Sequence, residues 1–265
     1  MINSIKIGQY YPARSPIHKM DPRIKIISVF IYIFALFLAK DYFSYLVVTV
    51  FSLAVVVLSR IPFKTMLKGL KPILIFILLT SFLHLFLTEG TEIWRWKFLK
   101  ITIEGRDNAV FMTLRLILLI GIASLLTYTT TPIALTDGLE RLLNPFKKIG
   151  VPAHELAMMM TIALRFIPTL LEETDKIMKA QVSRGASFRT GGMMKRAHMV
   201  ITLLVPLFLS AFRRAEELAL AMEARGYQGG EGRTRMRVLK VSSVDVFALL
   251  IVITFLGYMG YYRWF

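Results

Sequence analysis

The chain contains no cysteine, which excludes disulfides, thiolate nucleophiles and thiolate metal sites. Asparagine and glutamine are scarce, at three each, a depletion associated with thermophilic proteins. Histidine occurs four times, at His18, His84, His154 and His198. These are scattered, and no Asp, Glu or second His stands at ligand spacing from His84, so no metal site is assigned. No GxxxxGK[ST] run is present to cradle ATP, and neither GxSxG nor HExxH occurs. No catalytic residue and no cofactor is therefore assigned, and the chain is not read as an enzyme. The first 23 residues lack an apolar core and are broken by Pro12, Pro16 and Pro22, so no cleavable signal peptide is expected there. Acids are half as frequent as bases, 17 against 33, for a net charge of +16. That excess fits nucleic acid, anionic lipid or positively charged cytoplasmic loops, and its location along the chain must decide.

Apolar residues are plentiful. They make up 55% of 265 residues, and the mean hydropathy of +0.59 is too high for a soluble domain of this size. Five runs are long enough to cross a hydrocarbon core of ~30 Å. They are Ile24–Ala39, Tyr42–Leu58, Pro72–Thr88, Ala109–Thr130 and Val244–Tyr262. Backbone amides in lipid must be paired within the segment, so each is expected to be helical. Only Lys40 and Asp41 link the first two, which predicts a tight helical hairpin. Basic residues concentrate in Met1–Lys25, in the loop Ser59–Lys71 (Arg60, Lys64, Lys68, Lys71, no acid) and in Pro132–Ser243. The intervening Lys40-Asp41 and Glu89–Asn108 are balanced. The rule that short cytoplasmic loops are positive then predicts a multi-pass protein of the cell membrane with its N-terminus in the cytoplasm. Trp94, Trp96 and Trp264 fall on the outer side, with Tyr258, Tyr261 and Tyr262 as an interfacial belt. The basic stretch Arg233–Lys240 lies just before a span and reads as an anchor near anionic lipid, so no nucleic-acid partner is expected.

The expected fold class is an all-α membrane protein with about five transmembrane helices plus long amphipathic cytoplasmic helices. Residues 1–131 hold an N-terminal cytoplasmic segment and four spans, 132–243 the cytoplasmic helical region, and 244–265 the last span. Within 132–243 two long patterns keep 3/4 spacing. One runs from Pro152 to Arg184 through Leu156, Met160, Ala163, Ile167, Leu170, Thr174, Ile177 and Gln181. The other runs from Met193 to Arg225 through Leu204, Phe208, Ala211, Ala215, Leu218 and Met222. Pro168 and Pro206 are expected to kink them near the middle. Both end alike, in Ser183-Arg184-Gly185 and Ala224-Arg225-Gly226. Glycine just after a helix is the usual left-handed stop, and a cation in the last turn suits the negative helix end. Either ending alone reads as an ordinary cap. Their repetition on paired helices is the informative feature.

These endings resemble the two Ala-Arg-Gly-like motifs in the transmembrane T component of energy-coupling factor (ECF) transporters, ABC-type importers of vitamins and metal ions. Further similarity lies in Ser15-Pro16-Ile17-His18-Lys19-Met20-Asp21-Pro22-Arg23, in Asn144-Pro145-Phe146, and in Ala163-Leu164-Arg165-Phe166-Ile167-Pro168. The first motif has Ser183 where the family usually has Ala. The resemblance implies a mechanical coupler. Two ABC ATPase subunits would receive the helix ends Ser183, Arg184, Gly185 and Ala224, Arg225, Gly226. A substrate-binding membrane S component would lie on the apolar halves of the helices, at Leu156, Met159, Met160, Ala163, Ile167, Leu204, Phe208 and Ala211. Arg165, Pro168 and Pro206 would be structural, with Arg165 a hydrogen-bond donor holding the helix or part of the partner contact. The cargo, a vitamin or related micronutrient, would be chosen by the S component.

Eight of the fourteen methionines fall in Ala153–Gly226. Such surfaces repack for different partners, so this one is read either as a face for several S components or as filler between helices. Arg115 lies inside the fourth span and is expected to be structural, by snorkelling or by pairing with a neighbouring helix. Gly257 and Gly260 are expected to permit close packing of the last span, and Trp94–Phe98 alternates as an extended or interfacial stretch. A secondary transporter would show inverted repeats and polar midplane residues. A membrane-bound enzyme would show acids or histidines clustered at a span edge. Neither pattern is evident. A receptor-like scaffold differs from the coupler only in its partners.

Overall fold

A computed structural model describes residues 10–96, 99–185, 192–229, 239 and 241–264. These residues are overwhelmingly helical. They divide into two compact units, one within Gly8–Leu139 and Val238–Phe265, the other within Glu140–Arg237.

The first unit begins with a single turn, α1 (Pro16–Lys19), started by the Ser15 side chain accepting the His18 amide. α2 (Pro22–Leu38) follows, with Pro22 at its first position and the Asp21 carboxylate accepting the Arg23 amide. Both are strong helix starts. After Ala39, Lys40 and Asp41 the chain turns back as α3 (Tyr42–Ser59), the tight hairpin that the two-residue link predicts. The basic stretch after α3, expected as a loop, is mostly helix. α4 (Phe63–Leu70) runs through a 3₁₀ turn into α5 (Leu74–Leu87). Lys64, Lys68 and Lys71 share one exposed side, while Met66 is buried opposite. An amphipathic helix this short is easily read as a charged loop.

A small antiparallel hairpin, β1 (Glu92–Trp96) with β2 (Leu99–Thr102), precedes α6 (Ile103–Thr129). The alternating stretch at Trp94 is thus extended, while Lys97 and Phe98 lie outside the described residues. α6 starts earlier than Ala109, the expected beginning of the fourth span. Thr102 caps it by accepting the Gly105 amide at 3.0 Å, and the charged first turns with Glu104, Arg106 and Asp107 hide that start from a hydropathy reading. α7 (Pro132–Leu143) leads out of this unit, and α10 (Ser243–Trp264) returns to it.

α2 and α10 run parallel. Asp245 meets Asp21 near their starts, and Arg263 donates to the Phe37 carbonyl near their ends. Tyr32, Leu36, Tyr45, Val48, Ile122, Phe255 and Met259 form the core between α2, α3, α6 and α10. Phe51 stacks on Phe255 with ring centroids 4.3 Å apart. Arg115 donates to the Tyr45 hydroxyl at 3.0 Å and lies over the Phe37 ring, so it pairs with neighbouring helices. A Cβ placed on Gly257 or Gly260 would meet nothing within 4 Å. The expected close packing at these two glycines is therefore not found among the described residues. Close approach occurs instead at Gly105, where an added Cβ would lie 3.0 Å from the carbonyls of His84 and Leu85 on α5.

The second unit is built on α8 (Ala153–Ser183) and α9 (Met193–Ala224), introduced by a 3₁₀ turn at Asn144–Ile149. Near the start of α8, His154 bonds the Glu140 carboxylate at 2.9 Å.

Among the described residues, six helical stretches are long and apolar enough to cross a membrane: Tyr42–Ser59, Phe63–Leu87, Ile103–Thr129, Ala153–Ser183, His198–Ala224 and Ser243–Trp264. Four carry expected spans. The remaining expected span is α2, at 17 residues. The two in the second unit were expected as amphipathic helices, and their mean hydropathies of 1.2 and 1.3 are well below the 2.0–2.4 of the other four. The chain is an all-α membrane protein, with one short hairpin among the described residues.

Candidate functional site

The two Arg-Gly endings were singled out in sequence, and both close their helices in the same way. Gly185 and Gly226 have φ of +86° and +68°. At the end of α9 the Gly226 amide donates to the Glu223 carbonyl at 2.8 Å and the Tyr227 amide to the Met222 carbonyl at 3.0 Å. This pair of bonds is the Schellman closure. At the end of α8 the Gly185 amide donates to the Val182 carbonyl at 2.9 Å, the inner bond of the same arrangement. An added Cβ would meet nothing within 4 Å at either glycine, so the need for glycine is conformational and not steric. Arg184 and Arg225 occupy the capping position itself. Both are exposed, and neither guanidinium has a partner among the described residues.

α8 and α9 are 31 and 32 residues long, rods of ~45 Å. They pack on each other in opposite directions. Arg214 on α9 donates to Glu173 on α8 at 3.3 Å, and Tyr227, just past the end of α9, reaches the Met158 sulfur near the start of α8. Met158 lies roughly seven turns, or ~39 Å, upstream of Arg184. The two arginines thus stand at opposite ends of the pair, separated by roughly 30–40 Å. Sequence spacing gave no sign of this, because it depends on contacts between side chains far apart in the chain. A second ion pair, Lys179 with Asp175, is a one-turn link on the exposed surface of α8.

The apolar residues expected to face a partner are mostly uncovered. Leu156, Met159, Ile167, Leu204 and Phe208 are exposed by 36–62%, and Ala163 is exposed as well. Met160 and Ala211 are half-buried. On α9 the half-buried stripe runs through Leu203, Leu207, Ala211, Arg214, Leu218 and Met222, with Leu204 and Phe208 displaced to the open side. The expected stripe therefore mixed two faces, since Arg214 turns inward to meet Glu173 although charge alone placed it outside. Pro168 and Pro206 lie within uninterrupted helices. Arg165 is exposed and has no hydrogen-bond partner among the described residues, so it does not hold its helix as a donor there. Of the methionines, Met159 and Met194 are exposed by 55% and 85%, while Met158, Met178, Met199 and Met222 are half-buried. The basic stretch Arg233–Lys240 lies, but for Leu239, outside the described residues.

Comparison with known proteins bears on this arrangement. Residues 13–236 match the family CbiQ, described as cobalt transport protein. A protein of Ruminiclostridium cellulolyticum is 57% identical over 259 residues, covering 98% of this chain and 97% of its own. One from Acidaminococcus fermentans is 53% identical over 264 residues, with 100% and 98% covered. One from Bacillus subtilis is 49% identical over 264 residues, with 99% and 100% covered. All three are named energy-coupling factor transporter transmembrane protein EcfT. The chain belongs to this family of ECF transporter T components. The matched region includes both Arg-Gly ends, the whole of α8 and α9, and every helix of the first unit except α10.

Proposed function

We propose that this T component couples two ABC ATPase subunits to a substrate-binding S component, so that ATP-driven motion imports a vitamin or related micronutrient. The observation that carries the reading is the pair of exposed arginines, Arg184 and Arg225, on two glycine-closed, left-handed helix ends at opposite extremes of one antiparallel pair. One ATPase groove cannot accept both ends at that separation, and two grooves can. An arginine fork offers five donors to carboxylates and carbonyls of a partner. Rods of about nine turns transmit displacement between their ends. The open apolar surface around Leu156, Met159, Ala163, Ile167, Leu204 and Phe208 supports contact with a membrane-embedded S component, and the exposed Met159 and Met194 suit a face that accepts several. In this reading residues 132–243 act on the cytoplasmic side of the cell membrane, and ATP hydrolysis belongs to the partners.

The test is purification of the tagged chain from its native membrane, with mass spectrometry of what accompanies it. Two ABC ATPases and at least one small membrane protein should co-purify, and the latter would identify the cargo. Changing Arg184 and Arg225 together to Ala should release the ATPases, since truncating a buried interface arginine costs about 2 kcal/mol or more. ATPases retained by the double variant, with normal uptake, would overturn the proposal.

A further inference from the structure

At the end of the first unit where α2 and α10 begin and α3 finishes, a cavity of about 500 Å³ is lined by Arg14, Ser15, Lys19, Arg60, Ser242 and Asp245. Three cations thus face one carboxylate. That carboxylate is already engaged. Asp245 is 1% exposed, with Oδ1 accepting the Asp21 amide at 2.8 Å and Oδ2 the Ser242 amide at 2.7 Å. Arg14 and Lys19 are exposed and have no ion pair among the described residues. Arg60 makes only a long contact, 3.4 Å, to the Arg14 carbonyl. Positive charge is left over in a concave site.

Arg60 supplies an independent observation. It caps α3 at φ 56°, ψ 25°, and it is the one non-glycine residue with positive φ among the described residues. The others there are Gly150, Gly185, Gly226 and Gly229. Glycine would close α3 without the steric strain that an L side chain meets in this region. The fold keeps a guanidinium at this point against the backbone preference, and such outliers mark places where a side chain is used.

The surroundings describe the ligand. Val57 and Leu58, in the last turn of α3, are exposed by 74% and 52%, and Val244 and Phe247, at the start of α10, by 48% and 66%. A charged cavity flanked by outward apolar surface, at the ends of membrane-spanning helices, suits an anion with an apolar body. Inorganic phosphate shares the headgroup chemistry but has no use for the flank.

We propose that this cavity binds the phosphate of an anionic glycerophospholipid. Arg60 places its fork on the phosphate oxygens, Arg14 and Lys19 add charge, and the acyl chains run along α3 and α10. The test is a titration of the delipidated full-length chain in neutral detergent with phosphatidylglycerol, followed by native mass spectrometry. Phosphatidylcholine and inorganic phosphate serve as the comparison ligands. Arg60→Gly should weaken phosphatidylglycerol binding about tenfold. The melting temperature should hold or rise, because the backbone strain is relieved. Phosphatidylcholine, whose choline cation offsets its phosphate, should bind the native chain more weakly than phosphatidylglycerol and lose less on the substitution. Undiminished phosphatidylglycerol binding by the Arg14→Gln/Lys19→Gln/Arg60→Gly variant would overturn the proposal. Complete displacement of the lipid by millimolar inorganic phosphate would also overturn it, by showing the ligand to be the free anion.

Discussion

The carboxylate of Asp245 accepts the backbone amide of Asp21 at 2.8 Å across 224 positions of sequence. This one bond ties the start of the first long helix to the start of the last. Its other oxygen holds the Ser242 amide at 2.7 Å. Asp245→Ala leaves both amides without an acceptor, one of them buried. Hydrogen bonds to charged groups contribute ~1.5–3 kcal/mol each, so a loss of about 3 kcal/mol is expected. Asp245→Asn retains one acceptor oxygen and should lose roughly half of that. Unfolding in mixed micelles reads both variants, and an unchanged midpoint for Asp245→Ala would show that the bond contributes nothing.

Lys25 is the cationic counterpart. It is 5% exposed, and its ammonium donates to the Thr129 carbonyl at 2.9 Å and the Thr130 hydroxyl at 3.2 Å. It thereby joins α2 to the end of α6, and Asp21 and Asp245 supply the nearby negative charge. Removing one member of such a group strands the other, at a cost of about 3–5 kcal/mol. Lys25→Met should therefore be strongly destabilising. Combined with Asp245→Asn it should cost clearly less than the sum of the two single changes, because the stranded charges disappear together. Additivity within the error of the cycle would deny the coupling.

His18 makes the same end of the unit sensitive to acid. Its pKa is lowered, chiefly by burial, with the positive charge of Lys25 acting in the same direction and the Tyr11 carbonyl opposing. The ring lies 2.7 Å from the Ser15 hydroxyl and 3.0 Å from that carbonyl, and the Tyr10 ring stands edge-on against it. Because the folded pKa is below the unfolded value, the unfolded chain binds the additional proton first. Stability is then full above pH 6.5 and falls as pH drops from there through the folded pKa. Melting temperatures measured from pH 8 to pH 5 should decline more steeply for the native chain than for His18→Gln. Parallel curves would remove His18 from the account.

How much of this was legible in sequence depended on whether the signal was local. The hairpin at Lys40-Asp41 followed from a two-residue link, and the left-handed glycines 185 and 226 from their place after a periodic run. Each needs only a few neighbouring residues. α4 was missed because three lysines at helical spacing outweighed the single buried Met66. The early start of α6 was missed because Glu104, Arg106 and Asp107 resemble a loop when the Thr102 cap is overlooked. The open and covered faces of α9 were blended because the Arg214–Glu173 bond, which turns a charge inward, joins residues 41 positions apart. The opposite placement of Arg184 and Arg225 rests on the same kind of long-range contact, and so do the Asp21–Asp245 and Lys25–Thr129 bonds. Periodicity gives the elements; partners distant in the chain decide which side of each is used.

Two glycines with equally open surroundings separate conformation from packing. An added Cβ meets nothing within 4 Å at either Gly226 or Gly257, but Gly226 has φ of +68° and Gly257 lies inside α10. Gly226→Ala must hold an L residue in the left-handed region, at ~1–2 kcal/mol, or give up the Schellman bonds to Glu223 and Met222. Gly257→Ala gains helix propensity, about 0.5–1 kcal/mol. Hydrogen exchange at the Tyr227 amide should therefore quicken several-fold in Gly226→Ala, while Gly257→Ala should leave it unchanged and raise the melting temperature slightly. On the proposed coupling role the substitution reaches the partner as well, because Arg225 immediately precedes that turn. A frayed end presents its guanidinium in many directions, so an ATPase partner should be held more weakly by Gly226→Ala although no contacting side chain has changed. If exchange at Tyr227 quickens and the partner is nevertheless retained in full, the rigid presentation of Arg225 has no part in the contact.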